Sequence, residues 1–335
     1  GGSPPPDIAA PQPPAEDVSC LAWAQGRDLL AAGAWDGSTQ VWEVDAQATA
    51  SLQVAPRLAF KSEAPVLACC FSGDVRQLFS GGCDNQVTVR DLATQQAVQT
   101  WRHDMPVKSV FAVEELGLVV SGSWDRTVRF WSAQQPTAVA TLALPERVYA
   151  MDVKFPLMVV GCADRHVLAY NLQSIQQNPN PMKACPSSLK MQTRSISCFS
   201  DKSGYAVGSI EGRCSIVHLE EAKVAKNFTF KCHRAGEEHF AVNAIDFHPT
   251  QGTFATAGSD GTFVFWDKDM RTRLKQFNAC QCSISAGKFS SRGDLFAYAV
   301  SYDWSRGHNV DFNALPRQVM VHKVLEAEVK AKVQK

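Results

Sequence analysis

Several groups of side chains in this sequence have types and spacings that could do chemistry. His103, Ser121 and Asp125, followed by Trp131, are the residue types of a base, a nucleophile and an acid. The same set has a structural use. A carboxylate at a tight turn accepts backbone N–H bonds and a histidine from the preceding crossover, giving a buried hydrogen-bond chain that pins strands together. The structural use is preferred, because related Asp-turn-Trp pieces recur along the chain without that histidine and serine. The eleven cysteines are an odd number, spread from Cys20 to Cys282. Neither Cys69-Cys70 nor Cys280-x-Cys282 faces a second cluster at zinc spacing, so they read as buried, reduced thiols of an intracellular protein. Gly81-Gly82 lies between strand-like runs with no helix following, which is not a phosphate cradle. No catalytic set, cofactor loop or metal ligand set is expected.

The basic and aromatic residues point to binding instead. Lys268, Arg271, Arg273 and Lys275 form the densest basic run of the folded part and directly follow Trp266-Asp267. The segment Asn227-Phe-Thr-Phe-Lys-Cys-His-Arg234 enters the same repeat, so its end and the basic run are expected to share a rim. Phe228 and Phe230 alternate along it, which predicts one in the core and the other exposed. An exposed aromatic beside Lys231, Arg234, Lys268 and Arg271 would be a stacking platform in a cationic groove, suited to single-stranded nucleic acid. From the residues alone, platform and plain core both stay open. Ser301-Tyr-Asp-Trp-Ser-Arg-Gly-His308 lengthens the loop running to Pro316 and is a candidate contact surface.

These residues hang on a repeated scaffold. In Thr256-Ala-Gly-Ser-Asp-Gly-Thr-Phe-Val-Phe-Trp-Asp267, small residues lead into an Asp260-Gly261 hairpin turn and then an alternating strand. Variant copies occur seven times, with acidic turn positions at Asp36, Asp84, Asp125, Asp164, Glu211, Asp260 and Asp303. Their spacing averages about 44.5 residues, within the roughly 40–45 of a WD-repeat propeller blade. Each copy offers three apolar strands and room for a fourth. The fold expected is all-β: a seven-bladed WD-repeat β-propeller, whose stacked blades bury the faces one sheet cannot bury alone. Residues 17–323 would form it. Residues 1–16 read as an extended, poorly ordered Pro/Ala-rich arm, except that Asp7-Ile8-Ala9 should supply the strand the last repeat lacks. Residues 324–335 form a charged tail with the only helical periodicity.

Composition sets outer bounds. The 335 residues carry 33 basic and 33 acidic side chains, so anion binding must come from a local patch rather than bulk charge. Hydrophobic residues make up 45 %, which suits a sizeable core. No apolar run reaches the roughly 20 residues of a transmembrane helix, and no secretory signal is visible, so membrane insertion is not expected. The chain opens Gly1-Gly2-Ser3, which reads as a trimmed terminus and leaves a preceding targeting signal open.

Specific strings narrow this further. Leu144-Pro-Glu-Arg-Val-Tyr149, Ser209-Ile-Glu-Gly-Arg213, Asn227–Arg234, Phe265-Trp-Asp-Lys-Asp269 and Ser301–His308 resemble the nuclear-pore mRNA export factor family over about residues 7–323. A related mitotic-checkpoint propeller is similar in three of these places. The Asn-Phe-Thr-Phe, Trp-Asp-Lys-Asp and Asp-Trp-Ser-Arg-Gly-His strings favour the export factors. The resemblance implies a non-enzymatic adaptor in the nucleus and at the nuclear pore, shuttling to the cytoplasm. It implies binding to the GLEBS segment of an FG-repeat nucleoporin, with Arg213 pairing to a glutamate. It further implies that Phe230, Trp266, Asp267, Lys268, Arg271 and Arg273 line a rim used for single-stranded RNA (as mRNP) and by viral export inhibitors. Mitotic checkpoint proteins are the alternative partners. Ala235-Gly-Glu-Glu is shorter than the family's loop there, so contacts at that point are not carried over.

Overall fold

The computed structural model describes residues 6–46 and 52–332; the ends of the arm and tail lie outside them. Seven four-stranded antiparallel sheets form the body, with one two-stranded ribbon added. In six of them strand order follows chain order. In the seventh, Ile8–Ala9 pairs with Gln318–Lys323, so the first strand of the chain is the outer strand of the last blade. The expected seven-bladed propeller closed by an N-terminal strand is the observed architecture.

Packing explains the closure. Leu295, Ala297, Val319 and Val321 of blade seven join Leu30, Ala32 and Trp42 of blade one in one buried cluster, and Ala10 completes it. The Trp42 indole N–H donates to the Pro11 carbonyl at 2.7 Å, and the Tyr298 hydroxyl donates to Asp7 at 2.6 Å. The described part of the arm is therefore docked, contrary to the poor order that its proline content suggests. Proline's missing N–H costs nothing where only the carbonyl is used.

The Asp turns behave as the spacing predicts in most blades. Asp36, Asp84, Asp125, Asp164 and Asp260 each accept the backbone N–H two residues on. Gly261 follows with φ +75°, and a Cβ there would sit 2.7 Å from the Cys282 carbonyl. Asp303 likewise accepts the Ser305 N–H, at 3.2 Å, but its setting differs from the other turns. The connection from Leu295–Val300 to Gln318–Lys323 is a long irregular loop, and Asp303 is buried within it. Its carboxyl oxygens accept from Asn243 at 2.7 Å, Ser283 at 3.0 Å and Ser259, so it ties blades six and seven together. Burial opposes its ionisation, but the hydrogen bonds from Ser259, Asn243 and Ser305 outweigh that and hold it below the usual carboxylate range.

Each of the seven inner strands carries a β-bulge at its second residue, where pairing skips one position. The skipped residues are Ser19, Leu67, Lys108, Tyr149, Arg194, Asn243 and Ser285. All line the same central channel mouth, one from each blade. A bulge re-aims a side chain, and here it turns one residue per blade toward the axis.

Among the described residues the charged tail forms one helical turn, Glu326–Val329, with Glu328 and Val329 buried against blades six and seven.

Candidate peptide face and nucleic-acid rim

Blade six shows how the scaffold fixes its decorations. His233 lies between Asp260, 2.9 Å from Nδ1, and Thr256 Oγ1, 2.8 Å from Nε2; the Trp266 indole donates to the same threonine at 2.8 Å. Blade three repeats this with His103, Asp125 at 2.8 Å, Ser121 at 2.7 Å and Trp131 at 2.7 Å. His103 and Ser121 are buried with these atoms engaged, as a structural pin requires. The second pin was missed in the sequence because threonine replaces serine and its histidine lies 23 rather than 18 residues ahead. The matching signal was the equal ten-residue spacing to each tryptophan. The extra length is the ribbon Arg234–Ala235 and Glu238–His239.

The pin places the sequence's candidates on two different faces. Strand Phe228–Lys231 runs antiparallel to Arg213–His218, with Lys231 opposite Arg213 and Phe228 opposite Ile216. Lys231 therefore lies at the end of the blade that carries the turn at residues 210–212. Arg234 is at the same end, donating to the Glu211 carbonyl at 2.8 Å and the Gly212 carbonyl at 3.1 Å. Phe228 is at the opposite end, where the Arg271 guanidinium lies 4.6 Å from its ring and donates to the Lys226 carbonyl at 3.5 Å. The expectation that the end of 227–234 shares a rim with the basic run is thus corrected. The strand crosses the blade, about 10 Å over four residues, and it is the start of the segment that meets the run.

On the rim side, Phe228 and Phe230 are both half-buried and point the same way, because residues two apart in a strand share a face. The expected split into core and exposed rings is corrected accordingly. Phe230 packs 4.9 Å from Trp266 and 5.9 Å from Phe228, making an aromatic strip between blades five and six. Arg271 covers one end. Arg273 is on the outer strand and bonds Gln276. Lys268 is 10 % exposed, pairs with Asp269 at 2.8 Å and lies 5.1 Å above Phe199. Asp267 is buried. One oxygen accepts from the Asp269 and Met270 N–H groups and the other from the Lys332 N–H, at 2.9–3.0 Å. It shapes the rim and anchors the tail, and leaves no free carboxylate on the surface.

The other face is built from the 210–212 turn, the channel mouth and a cleft of about 890 Å³. Glu238, His239, Phe240, Arg194, Tyr302, Trp304 and Arg306 line the cleft. The rings of Tyr302, Trp304 and Phe312 pack at tilted and edge-on angles with centroids 5.0–5.8 Å apart, and Trp304 is 47 % exposed. Arg213 stands beside the turn, 3.7 Å from Glu211 and 35 % exposed, so its guanidinium is held yet reachable. Arg194 reaches Asn243 at 3.0 Å and the Asp303 carbonyl at 3.4 Å. The sequence marked the 301–308 segment but not the cleft. Its walls come from the consecutive blades five, six and seven, over residues as far apart as Arg194 and Arg306, which no short motif joins. Among the described residues, no group of three or more His, Cys, Asp or Glu could hold a metal, and no helix is long and apolar enough to cross a membrane.

The fold defines a WD-repeat β-propeller. A family model for the WD domain, G-beta repeat, matches residues 12–43, 56–91, 95–132 and 226–267. The chain is 42 % identical to the Poly(A)+ RNA export protein of Schizosaccharomyces pombe, over 98 % of this chain and 94 % of that one. It is 42 % identical to mRNA export factor GLE2 of Chaetomium thermophilum over 97 % and 92 %, and to Protein Rae1 of Drosophila melanogaster over 90 % and 89 %. The chain belongs to the mRNA export family of WD-repeat proteins.

Proposed function

We propose that this chain is an adaptor in mRNA export that holds two partners on two faces. The turn face binds an acidic peptide, the GLEBS segment of an FG-repeat nucleoporin, through Arg213 and the cleft beside it. The rim of blades five and six binds single-stranded RNA through Phe230, Trp266, Arg271 and Arg273, with Lys268 adding charge. Near-full-length similarity to proteins named as RNA and mRNA export factors supports the cellular role, and with it a place at the nuclear pore.

One observation carries the division of labour: Arg213 and Arg271 sit at opposite ends of the same pair of strands. A guanidinium suits a carboxylate because its fork donates two parallel bonds. An aromatic strip beside guanidinium groups suits bases and phosphates. Lys231 and Arg234, read from the sequence as RNA contacts, fall on the peptide face in this scheme. Arg234 also clamps the turn that carries Arg213.

The test is a pull-down with a GLEBS peptide. Arg213→Glu should abolish capture while circular dichroism and melting temperature stay unchanged. Undiminished capture by a folded variant would sink the peptide assignment.

A further inference from the structure

Cys20 and Cys69 belong to the inner strands of blades one and two, and their sulfurs lie 3.7 Å apart. Both line the central channel mouth, with Cys20 half-buried and Cys69 buried. Cys20 directly follows the bulged Ser19, which re-aims the strand at this point. Its sulfur rests over Gly33, where a Cβ would approach it to 2.7 Å, so no side chain from its own blade shields it on that side. Lys108, another bulge residue, lines the same mouth.

We propose that Cys20 and Cys69 form a peroxide-sensitive dithiol that closes to a disulfide, bolting blade one to blade two beneath the channel mouth. A Cys20 thiolate attacks one oxygen of hydrogen peroxide, the O–O bond breaks, and water leaves after protonation. The resulting sulfenic acid is then attacked by the Cys69 sulfur. The S–S bond forms, the S–O bond breaks, and the hydroxyl departs as a second water with the Cys69 proton. Two thiols are oxidised and one peroxide is reduced.

The two thiols differ in the sense this sequence of steps needs. Hydrogen bonding between them lowers the Cys20 thiol and raises Cys69. Burial opposes the Cys20 thiolate, while Ser19, the Gly33 backbone and the Lys108 ammonium favour it. Cys70, next in sequence, is pushed up to about 12 by burial and is the less reactive neighbour.

The experiment treats the folded chain with a small excess of hydrogen peroxide, unfolds it in iodoacetamide and maps tryptic peptides. The expected product joins the peptide ending at Arg27 to peptide 62–76 with Cys70 alkylated, about 2 Da below the summed mass of those peptides carrying free Cys20 and Cys69 thiols. Fragmentation of this product in the wild-type chain assigns the link to Cys69 rather than Cys70. Cys20→Ser abolishes it, and Cys70→Ser leaves it intact. The oxidised chain should melt several degrees higher and revert with dithiothreitol. Recovery of both cysteines fully alkylated would overturn the proposal. So would a link assigned to Cys70, or an oxidised chain that melts no higher.

Discussion

At the scale of residues, the division between scaffold and surface falls inside single side chains. Trp266 gives its indole N–H to the blade-six pin and its ring to the strip with Phe230. Replacing it would confuse folding with binding, so Arg271 and Arg273 are the cleaner probes. Arg271→Glu with Arg273→Glu should weaken single-stranded RNA binding, and the slope of log K against log salt should fall by roughly 0.7 for each phosphate left without its cation. Lys231→Glu, at the far end of the strand, should leave that slope unchanged. A salt titration of RNA binding decides both, and an unchanged slope in the double variant would remove the rim from the RNA site. The pins answer to stability instead. His233→Ala strips a buried threonine and a carboxylate of their partner and should cost roughly 2–4 kcal/mol in guanidinium unfolding. His166→Ala, whose aspartate pair is about half exposed, should fall within about 0.5 kcal/mol of wild type. Both pin carboxyls lie below the ordinary aspartate range. Burial opposes this, but hydrogen bonds from the pin histidine and neighbouring threonine dominate. A depressed carboxyl stabilises the fold above its unfolded value of 3.8, so the pins are lost as the pH falls below that.

At the scale of elements, one histidine holds both ends of the chain. His322, on the third strand of blade seven, has Asp7 of the closing strand 2.7 Å from Nδ1 and Glu328 of the tail 3.0 Å from Nε2. Burial alone would lower its pKa, but hydrogen bonds and charge from Asp7 and Glu328 raise it to about 9. Tyr298 also bonds Asp7, and the charge of Lys275 favours the Glu328 carboxylate. A raised histidine gives its full stabilisation below the unfolded value of 6.5 and loses it as the pH climbs through about 9. Glu328 is lowered, so its share fades on the acid side, below 4.5. The clasp is therefore strongest between these limits. The melting gap between wild type and His322→Gln should be widest near pH 6 and shrink toward pH 9.5; a gap constant with pH would refute the charged clasp. Deleting residues 1–16 should lower the melting temperature by several degrees at pH 7, since it removes Asp7, Ile8 and Ala10 together. How much of this was legible follows from range. The strand at Ile8–Ala9 could be read from the sequence because the last repeat visibly lacked one. The clasp could not, because no periodic pattern links Asp7 to a histidine 315 positions away. The Asp turns were legible from two-residue bonds within one hairpin. Asp303 keeps the same two-residue bond to Ser305, but its further partners in blades six and seven were not legible because they lie far off in sequence.

At the scale of the whole molecule, the propeller separates what the sequence places side by side. Lys231 and Lys268 both border blade six, yet the strand between Phe228 and Lys231 carries the chain from one face to the other. Sequence reading found the charged and aromatic residues but did not sort them, since the face each reaches depends on the register of its strand against its neighbour, as in Lys231 opposite Arg213. The separation has a thermodynamic consequence. Two ligands affect each other's affinity only if they share contacts, repel, or favour different states of the protein. The peptide face and the RNA rim share no residue in the proposed assignment, and the buried His233–Thr256 pair lies between Asp260 at the cleft and Trp266 at the rim. Peptide and RNA should therefore bind together, with a ternary complex forming at the affinities of the two binary ones. In a fluorescence anisotropy titration, labelled single-stranded RNA should bind with the same Kd, within about twofold, whether or not a GLEBS peptide is saturating. Linkage makes the converse experiment equivalent: saturating RNA should leave the peptide Kd equally unmoved. Competition, seen as a Kd that rises in step with peptide concentration, would place both partners on one face. Mutual tightening by tenfold or more would instead require a coupling of about 1.4 kcal/mol through the pin. That coupling should then vanish in His233→Ala.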